Sequence, residues 1–130
     1  MEHYDILIIG GGAAGLFTAC LLARENADVT LVEKQARVGR KLLATGNGRC
    51  NLTNLHANSE HYYGEQADFA ASPLGKFDVE NTLQWFENMG LYTVAEESGR
   101  IYPYSDQANS VLDVLRFALE RPNIQVLTGS

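Results

Sequence analysis

Gly10, Gly12 and Gly15 follow the apolar run Ile6-Leu7-Ile8-Ile9, and the acid Glu33 closes a second apolar run that starts at Asp28. Residue types at this spacing are suited to gripping a pyrophosphate and a ribose. The first glycine permits a tight turn off a strand, the second lets backbone approach phosphate oxygens, and the third lets a helix sit close on that strand. Ala13 and Ala14 would then open the helix with free N–H groups, the positive end of its dipole behind them. Glu33 lies about 20 residues past the glycines, where a carboxylate accepts hydrogen bonds from a ribose 2′-hydroxyl. Such an acid disfavours a 2′-phosphate, although Lys34 beside it keeps NADP in view.

The elements that must position these groups are legible around them. Ile6 to Ile9 are continuously apolar, as expected of a strand buried on both faces of a parallel sheet. Leu16, Ala19, Cys20 and Ala23 recur at helical spacing and give the next element one face to bury. Asp28 to Glu33 read as a second, β-branched strand. Strand, turn, helix and strand together predict an α/β fold, a Rossmann-like FAD/NAD(P)-binding domain with a parallel sheet and a βαβ start.

Beyond Glu33, residues 34–54 are rich in Gly, Asn and Thr and read as ordered loop with at most one short helix. Residues 55–77 are weakly patterned, and Pro73 breaks any long helix there. Asp78 to Met89 form the next predicted helix: Asp78 is a good N-cap, Val79, Leu83 and Phe86 share a face, and Gly90 is a C-terminal stop. Leu91–Ala95 and Arg100–Tyr104 are expected to pair as a hairpin across Glu97-Ser98-Gly99. A further helix is expected from near Ser110, where Ser110 and Asp113 have capping-box spacing, to before Pro122. Ile124 to Thr128 then supply a third parallel strand, beside the second.

Composition narrows the function classes. The chain has 130 residues, 45% hydrophobic and 20% charged, and no apolar stretch approaches the ~18 residues of a membrane span. Met1-Glu2-His3 lacks the basic start of a signal peptide. Cys20 and Cys50 cannot make a disulfide framework, which places the chain in a reducing cytoplasm. The net charge of −6 argues against general nucleic-acid binding. Within this acidic chain, residues 34–59 hold Lys34, Arg37, Arg40, Lys41 and Arg49 and no acid. That basic island can be a solvated loop, but its start directly after Glu33 favours a cationic collar for an anionic ligand.

Other residues read more plainly. Cys20, Trp85 and Phe86 are core, and Cys50 is better explained as structural than as a redox thiol because it has no neighbouring partner in sequence. Tyr102 and Tyr104 could line a pocket, but the exit of a packed hairpin is the simpler reading. His3, His56 and His61 lack metal-ligand spacing. No catalytic acid or base is assignable.

Three stretches carry a resemblance: Gly39-Arg40-Lys41-Leu42-Leu43, Thr45-Gly46-Asn47-Gly48-Arg49-Cys50-Asn51-Leu52-Thr53-Asn54, and Gly99-Arg100-Ile101-Tyr102-Pro103-Tyr104-Ser105. With the βαβ start, they resemble the BaiN-like, aminoacetone-oxidase-type bacterial FAD-binding proteins, relatives of the two-dinucleotide-binding-domain flavoproteins. The resemblance implies extended FAD, its pyrophosphate on Gly12, Ala13, Ala14 and Gly15 after the Gly10 turn, and its adenosine ribose on Glu33 with Lys34 alongside. It implies that Arg40, Lys41, Thr45, Gly46 and Asn51 meet the pyrophosphate, ribityl chain or flavin side. An oxidoreductase is implied, acting on an unknown small-molecule substrate, with NAD(P)H one candidate electron donor.

Family members are much longer, with an inserted second domain and a C-terminal return to the FAD domain. Residues 1–130 therefore look like the N-terminal part of the FAD-binding domain, expected to bind FAD weakly or not at all alone and to self-associate through the uncovered first strand. An NAD-dependent dehydrogenase domain is the alternative, but it needs no long Gly/Asn/Thr-rich second segment. A non-catalytic nucleotide-binding module or tRNA-modifying flavoprotein subunit is a third reading.

Overall fold

Residues 5–130 are described in a computed structural model. Met1-Glu2-His3, weighed above against a signal peptide and for metal ligation, and Tyr4 lie outside the described residues. The chain runs β1 (Ile6–Ile9), α1 (Ala13–Ala23), β2 (Val29–Glu33), α2 (Arg40–Ala44), β3 (Thr53–Asn54), α3 (Ala71–Lys76), α4 (Val79–Asn88), β4 (Thr93–Ala95), β5 (Arg100–Pro103), α5 (Ala108–Ala118) and β6 (Ile124–Thr128).

The first sheet is parallel with order β1-β2-β6, so the last strand lies beside the second as its pattern predicts. Ile8, Leu31 and Val126 align across it and share one face; Leu7, Thr30 and Gln125 share the other. Helix α1 packs on the first face, where a Cβ built on Gly15 would lie 3.4 Å from Ile8. Its buried residues are the predicted Leu16, Ala19, Cys20 and Ala23. Helix α5 joins the same layer, and the Cys20 thiol donates to the Leu115 carbonyl at 3.4 Å. Burial pushes that thiol up to about 11, as befits a core cysteine.

β1 has the apolar run of a strand built to be buried on both faces, but one face is open, as expected of an uncovered first strand. Leu7 is 49% and Ile9 85% exposed, because no helix or strand among the described residues covers the second face beside them. β1 is also an edge strand.

The second sheet is antiparallel, order β3-β5-β4. The predicted hairpin is its β4–β5 half, closed at Gly99 with φ +81°. The two-residue β3 was not legible, since Thr53-Asn54 lies in a polar loop and pairs only through β5. Tyr102 is buried there and Tyr104 is 74% exposed, consistent with a hairpin exit.

Helix α4 begins at the predicted cap. Asp78 accepts from the Asn81 amide at 2.8 Å, and the Asn81 side chain accepts from the Asp78 amide at 3.4 Å, a reciprocal capping box. Gly90 takes φ +89° at its end. Trp85 and Phe86 are buried against α1, with Phe17 and Trp85 rings 4.1 Å apart. The short α3 carries Pro73 in its first turn, where a missing N–H is harmless.

The capping expectation at Ser110 is corrected. α5 starts two residues earlier, at Ala108 with Gln107 at the N-cap position. The Ser110 hydroxyl instead bonds Ser105 at 2.7 Å, tying the helix to the preceding turn. Burial of Ala108 explains the earlier start, because the apolar face begins there.

Removing the α4 cap should be measurable. Asp78→Ala is expected to cost about 1 kcal/mol, read as a lower urea midpoint at unchanged slope. An unaltered midpoint would show that the capping box contributes nothing.

Candidate functional site

The site is built where β1 ends. Gly10 takes φ +104°, a conformation closed to most side chains, and turns the chain sharply off the strand. A Cβ on Gly15 would overlap the Gly10 carbonyl oxygen, so α1 can sit this close only with glycine there. Gly12 is the N-cap position of α1, no side chain caps the helix, and the space a Cβ would fill at Gly12 is open. Ala13 and Ala14 are exposed. An uncapped, open helix start with small residues is a fit for a phosphate group.

Glu33 sits directly beneath. Its carboxylate accepts from the Gly11 amide at 2.7 Å and from the Gln35 amide at 2.8 Å. These two bonds, the Gln35 bond first, hold its carboxyl below the ordinary carboxylate value; Lys34 and Arg40 add to the effect and partial desolvation opposes it. Each oxygen keeps lone-pair capacity for hydroxyl donors.

Gly11 was overlooked in the sequence, although it joins both strands to the second segment. Its amide meets Glu33, its carbonyl accepts from the Gly39 amide at 2.7 Å, and a Cβ on it would press on Val38 at 2.7 Å. The glycine triplet was the available signal. Gly39 is the other omission: it takes φ +72° and lies so close to Leu112 that a side chain has no room. The second segment is thereby brought against α5.

From Gly39 the chain forms α2, the one short helix allowed by the sequence, then the Thr45–Gly48 turn. Lys34, Arg40 and Lys41 are exposed, and Arg40 donates to the Gln35 side chain at 2.7 Å. Thr45 donates its hydroxyl to the Leu42 carbonyl at 2.6 Å. With its amide nitrogen toward the two carbonyls, Asn51 donates to Thr53 at 2.9 Å and Ile101 at 3.2 Å, fastening β3 to β5.

The turn itself is sharply wound. Gly46, Asn47, Gly48 and Cys50 all have left-handed φ, between +55° and +84°. At Asn47 and Cys50 this backbone costs about 1–2 kcal/mol each. Cys50 is buried, and burial raises its thiol above the usual value, which supports the structural reading.

The basic island divides. Arg37 and Arg40 line a cleft of about 550 Å³ with Arg116 and the apolar Val38, Leu112 and Val126. Arg49 leaves the collar that sequence placed it in. Its Nη2 donates to Glu96 at 2.8 Å, its Nε donates to Asp106, and its guanidinium lies 3.8 Å from the centre of the Tyr102 ring. The two carboxylates push its already high pKa further up. Among the described residues no cluster of His, Cys and carboxylates could hold a metal, and no helix is long and apolar enough to cross a membrane.

A parallel sheet entered through a glycine turn, with an acid closing the second strand, defines a Rossmann-like nucleotide-binding domain. The chain belongs to the HI0933-like family: residues 4–130 match the HI0933-like protein Rossmann domain. This is a family of FAD-binding Rossmann domains of flavin oxidoreductases.

The chain is 45% identical over 124 residues to the 3-dehydro-bile acid delta(4,6)-reductase of Clostridium scindens, covering 94% of this chain and 30% of that protein. It is 32% identical over 124 residues to the ribosomal RNA dihydrouridine synthase of Escherichia coli, covering 95% and 31%. The chain thus spans about 30% of the length of these curated relatives. Among solved structures, Thermovibrio ammonificans THI4 superposes with TM-score 0.62 at 15% identity, covering 97% of this chain and 38% of that one. A quinol-fumarate reductase does so with TM-score 0.63 at 19% identity, covering 99% and 27%. At these identities the likeness is one of fold.

The Glu33 bonds give the folded protein a defined acid limb. A carboxyl held below its unfolded value of about 4.3 stabilises fully above that value, and the contribution is lost as pH falls through the lower folded value. Glu33→Gln should therefore lower the urea midpoint at pH 6, with the gap to the parent protein narrowing below about pH 4. A gap of constant size across that range would mean that the charge on Glu33 contributes nothing.

Proposed function

We propose that this chain is the FAD-holding portion of a flavin-dependent oxidoreductase, and that the residues gathered at the end of β1 are its cofactor contacts. The observation that carries this reading is the uncapped, open start of α1 at Gly12 with the amide-bonded Glu33 beside it. The pyrophosphate belongs on the backbone of Gly12, Ala13, Ala14 and Gly15, after the Gly10 turn. The adenosine ribose hydroxyls belong on Glu33, with Lys34 alongside. Arg40 and Lys41 supply charge to the pyrophosphate, and Thr45, Gly46 and Asn51 lie on the ribityl and flavin side. When bound, the flavin supplies reversible electron-pair transfer; this chain's residues bind, orient and screen it.

The relatives support a division of labour. By their names, one reduces a bile acid and another modifies ribosomal RNA, yet both align with this chain over the same third of their length. That proteins named for such different substrates both match this chain accords with a cofactor-holding role for it. On this reading the substrate-facing groups lie in the rest of the longer protein, and NADH or NADPH is the proposed electron donor. The two cysteines, neither in a disulfide, accord with a reducing cytoplasm. The acidic net charge argues against general nucleic-acid binding by this portion.

Glu33→Ala in the protein at its full natural length should weaken FAD binding by about 10- to 100-fold, the worth of hydrogen bonds to a charged group. Retained flavin after gel filtration, read from the visible spectrum, measures this. Unchanged retention would remove Glu33 from the site, and a colourless parent protein would remove FAD. Anaerobic bleaching of the bound flavin by NADH or NADPH tests the donor.

The open sheet face leads to a second expectation. Exposed Leu7 and Ile9 on an edge strand favour association. The 130-residue chain alone should therefore bind FAD weakly and elute as an oligomer. A monomer carrying stoichiometric flavin would overturn both parts.

A further inference from the structure

Unlike Arg37 and Arg40, Arg49 does not line the cleft at α5, and its side chain is committed to other partners. Three elements hold it. Glu96 comes from the end of β4, Tyr102 from the middle of β5, and Asp106 from the turn into α5. The Tyr102 ring is 6% exposed, and it also lies 3.3 Å from where a Cβ on Gly46 would project. The same ring thus backs the turn at two points, Gly46 and Arg49. Two backbone bonds close the turn from within, Arg49 N to Gly46 O at 3.2 Å and Cys50 N to Thr45 O at 3.0 Å. These two bonds must hold four left-handed residues, two of them not glycine. Such a turn relaxes unless its surroundings over-determine it.

We propose that Arg49 is a positioning residue: its guanidinium, forked between Glu96 and Asp106 and laid on Tyr102, locks the Gly46–Asn51 turn in its working shape before the cofactor binds. The inference rests on the proposed placement of Gly46 and Asn51 on the flavin side. On this proposal Arg49 acts through the turn and not on the cofactor. Its geometry is one that lysine cannot copy, because a single ammonium cannot fork between two carboxylates while stacking flat on a ring. An unlocked turn would spend only a fraction of its time competent to bind, and apparent affinity would fall by that fraction.

The test uses the protein at its full natural length, stripped of cofactor, as the parent, Arg49→Gln and Arg49→Lys. Glu96→Gln with Asp106→Asn serves as a second variant should Arg49→Gln fail to fold. Amide hydrogen exchange in residues 46–51 should quicken by on the order of ten-fold in Arg49→Gln, and by less in Arg49→Lys, while the β4–β5 amides keep their rates. FAD titration should show affinity falling by the same factor, with the absorption and visible circular dichroism of the bound flavin unchanged. Unchanged exchange in the turn overturns the proposal. A uniform rise across the domain also overturns it, because that is general destabilisation. An altered bound-flavin spectrum overturns it too, because Arg49 would then be a contact. If the parent binds no FAD, the cofactor assignment fails, and the exchange arm still decides whether Arg49 locks the turn.

Discussion

The site depends on one close approach, that of the first turn of α1 to the carbonyl of Gly10. No residue with a Cβ can stand at position 15 without overlapping that oxygen. Because glycine stands there, the helix start lies over the end of β1 rather than a side chain's width away. Gly11 then falls within hydrogen-bond reach of Glu33 on one side and of Gly39 on the other. Strand, helix, second strand and second segment are thus fastened at a single tripeptide. Each bond is worth only about 1 kcal/mol net, but each also satisfies a backbone group that the sharp turn leaves with no partner in a regular element.

The second segment obeys a different constraint. Its left-handed turn has little hydrophobic burial of its own, apart from Cys50. Its shape is set by contacts with the antiparallel sheet: Asn51 on the carbonyls of Thr53 and Ile101, and Arg49 on Glu96, Asp106 and Tyr102. An exposed ion pair alone contributes little. This one is forked, stacked and anchored on a buried ring, which is the geometry that makes such pairs count. The small β3-β5-β4 sheet is therefore a brace for the turn as much as a layer of the core.

Local chemistry decided what could be read from sequence. The βαβ start was legible because strand period, helix period and glycine spacing act within 30 or so residues and agree. The α4 cap and its glycine stop were legible for the same reason, since Asp78, Asn81 and Gly90 act on their immediate neighbours. The features missed were set by distant partners. Thr53-Asn54 is a strand only because β5 runs beside it, Gly39 matters because Leu112 is pressed against it, and Arg49 changes role because residues 47 and 57 positions away supply its acids. The exposure of Leu7 and Ile9 follows the expectation of an uncovered first strand, because an apolar strand states that its faces want cover, not that cover is present.

The charge distribution looks at first opposed to an anionic ligand, since the chain carries −6 overall. Distance resolves the conflict. Exposed charges lose most of their influence beyond about 8 Å at physiological salt, so a group at the start of α1 responds to its neighbours rather than to the total. The acid in that neighbourhood, Glu33, is held by two amide donors and flanked by Lys34 and Arg40, whose fields favour its ionised form. The same pairing blunts its repulsion toward a phosphate while leaving its oxygens able to accept hydroxyl hydrogens. Arg49, by contrast, adds nothing to this local field, because two carboxylates already neutralise it. Lys34, Arg37, Arg40 and Lys41, with the helix start, are thus the groups left to supply the local positive charge that the proposed site calls for, whatever the total of −6.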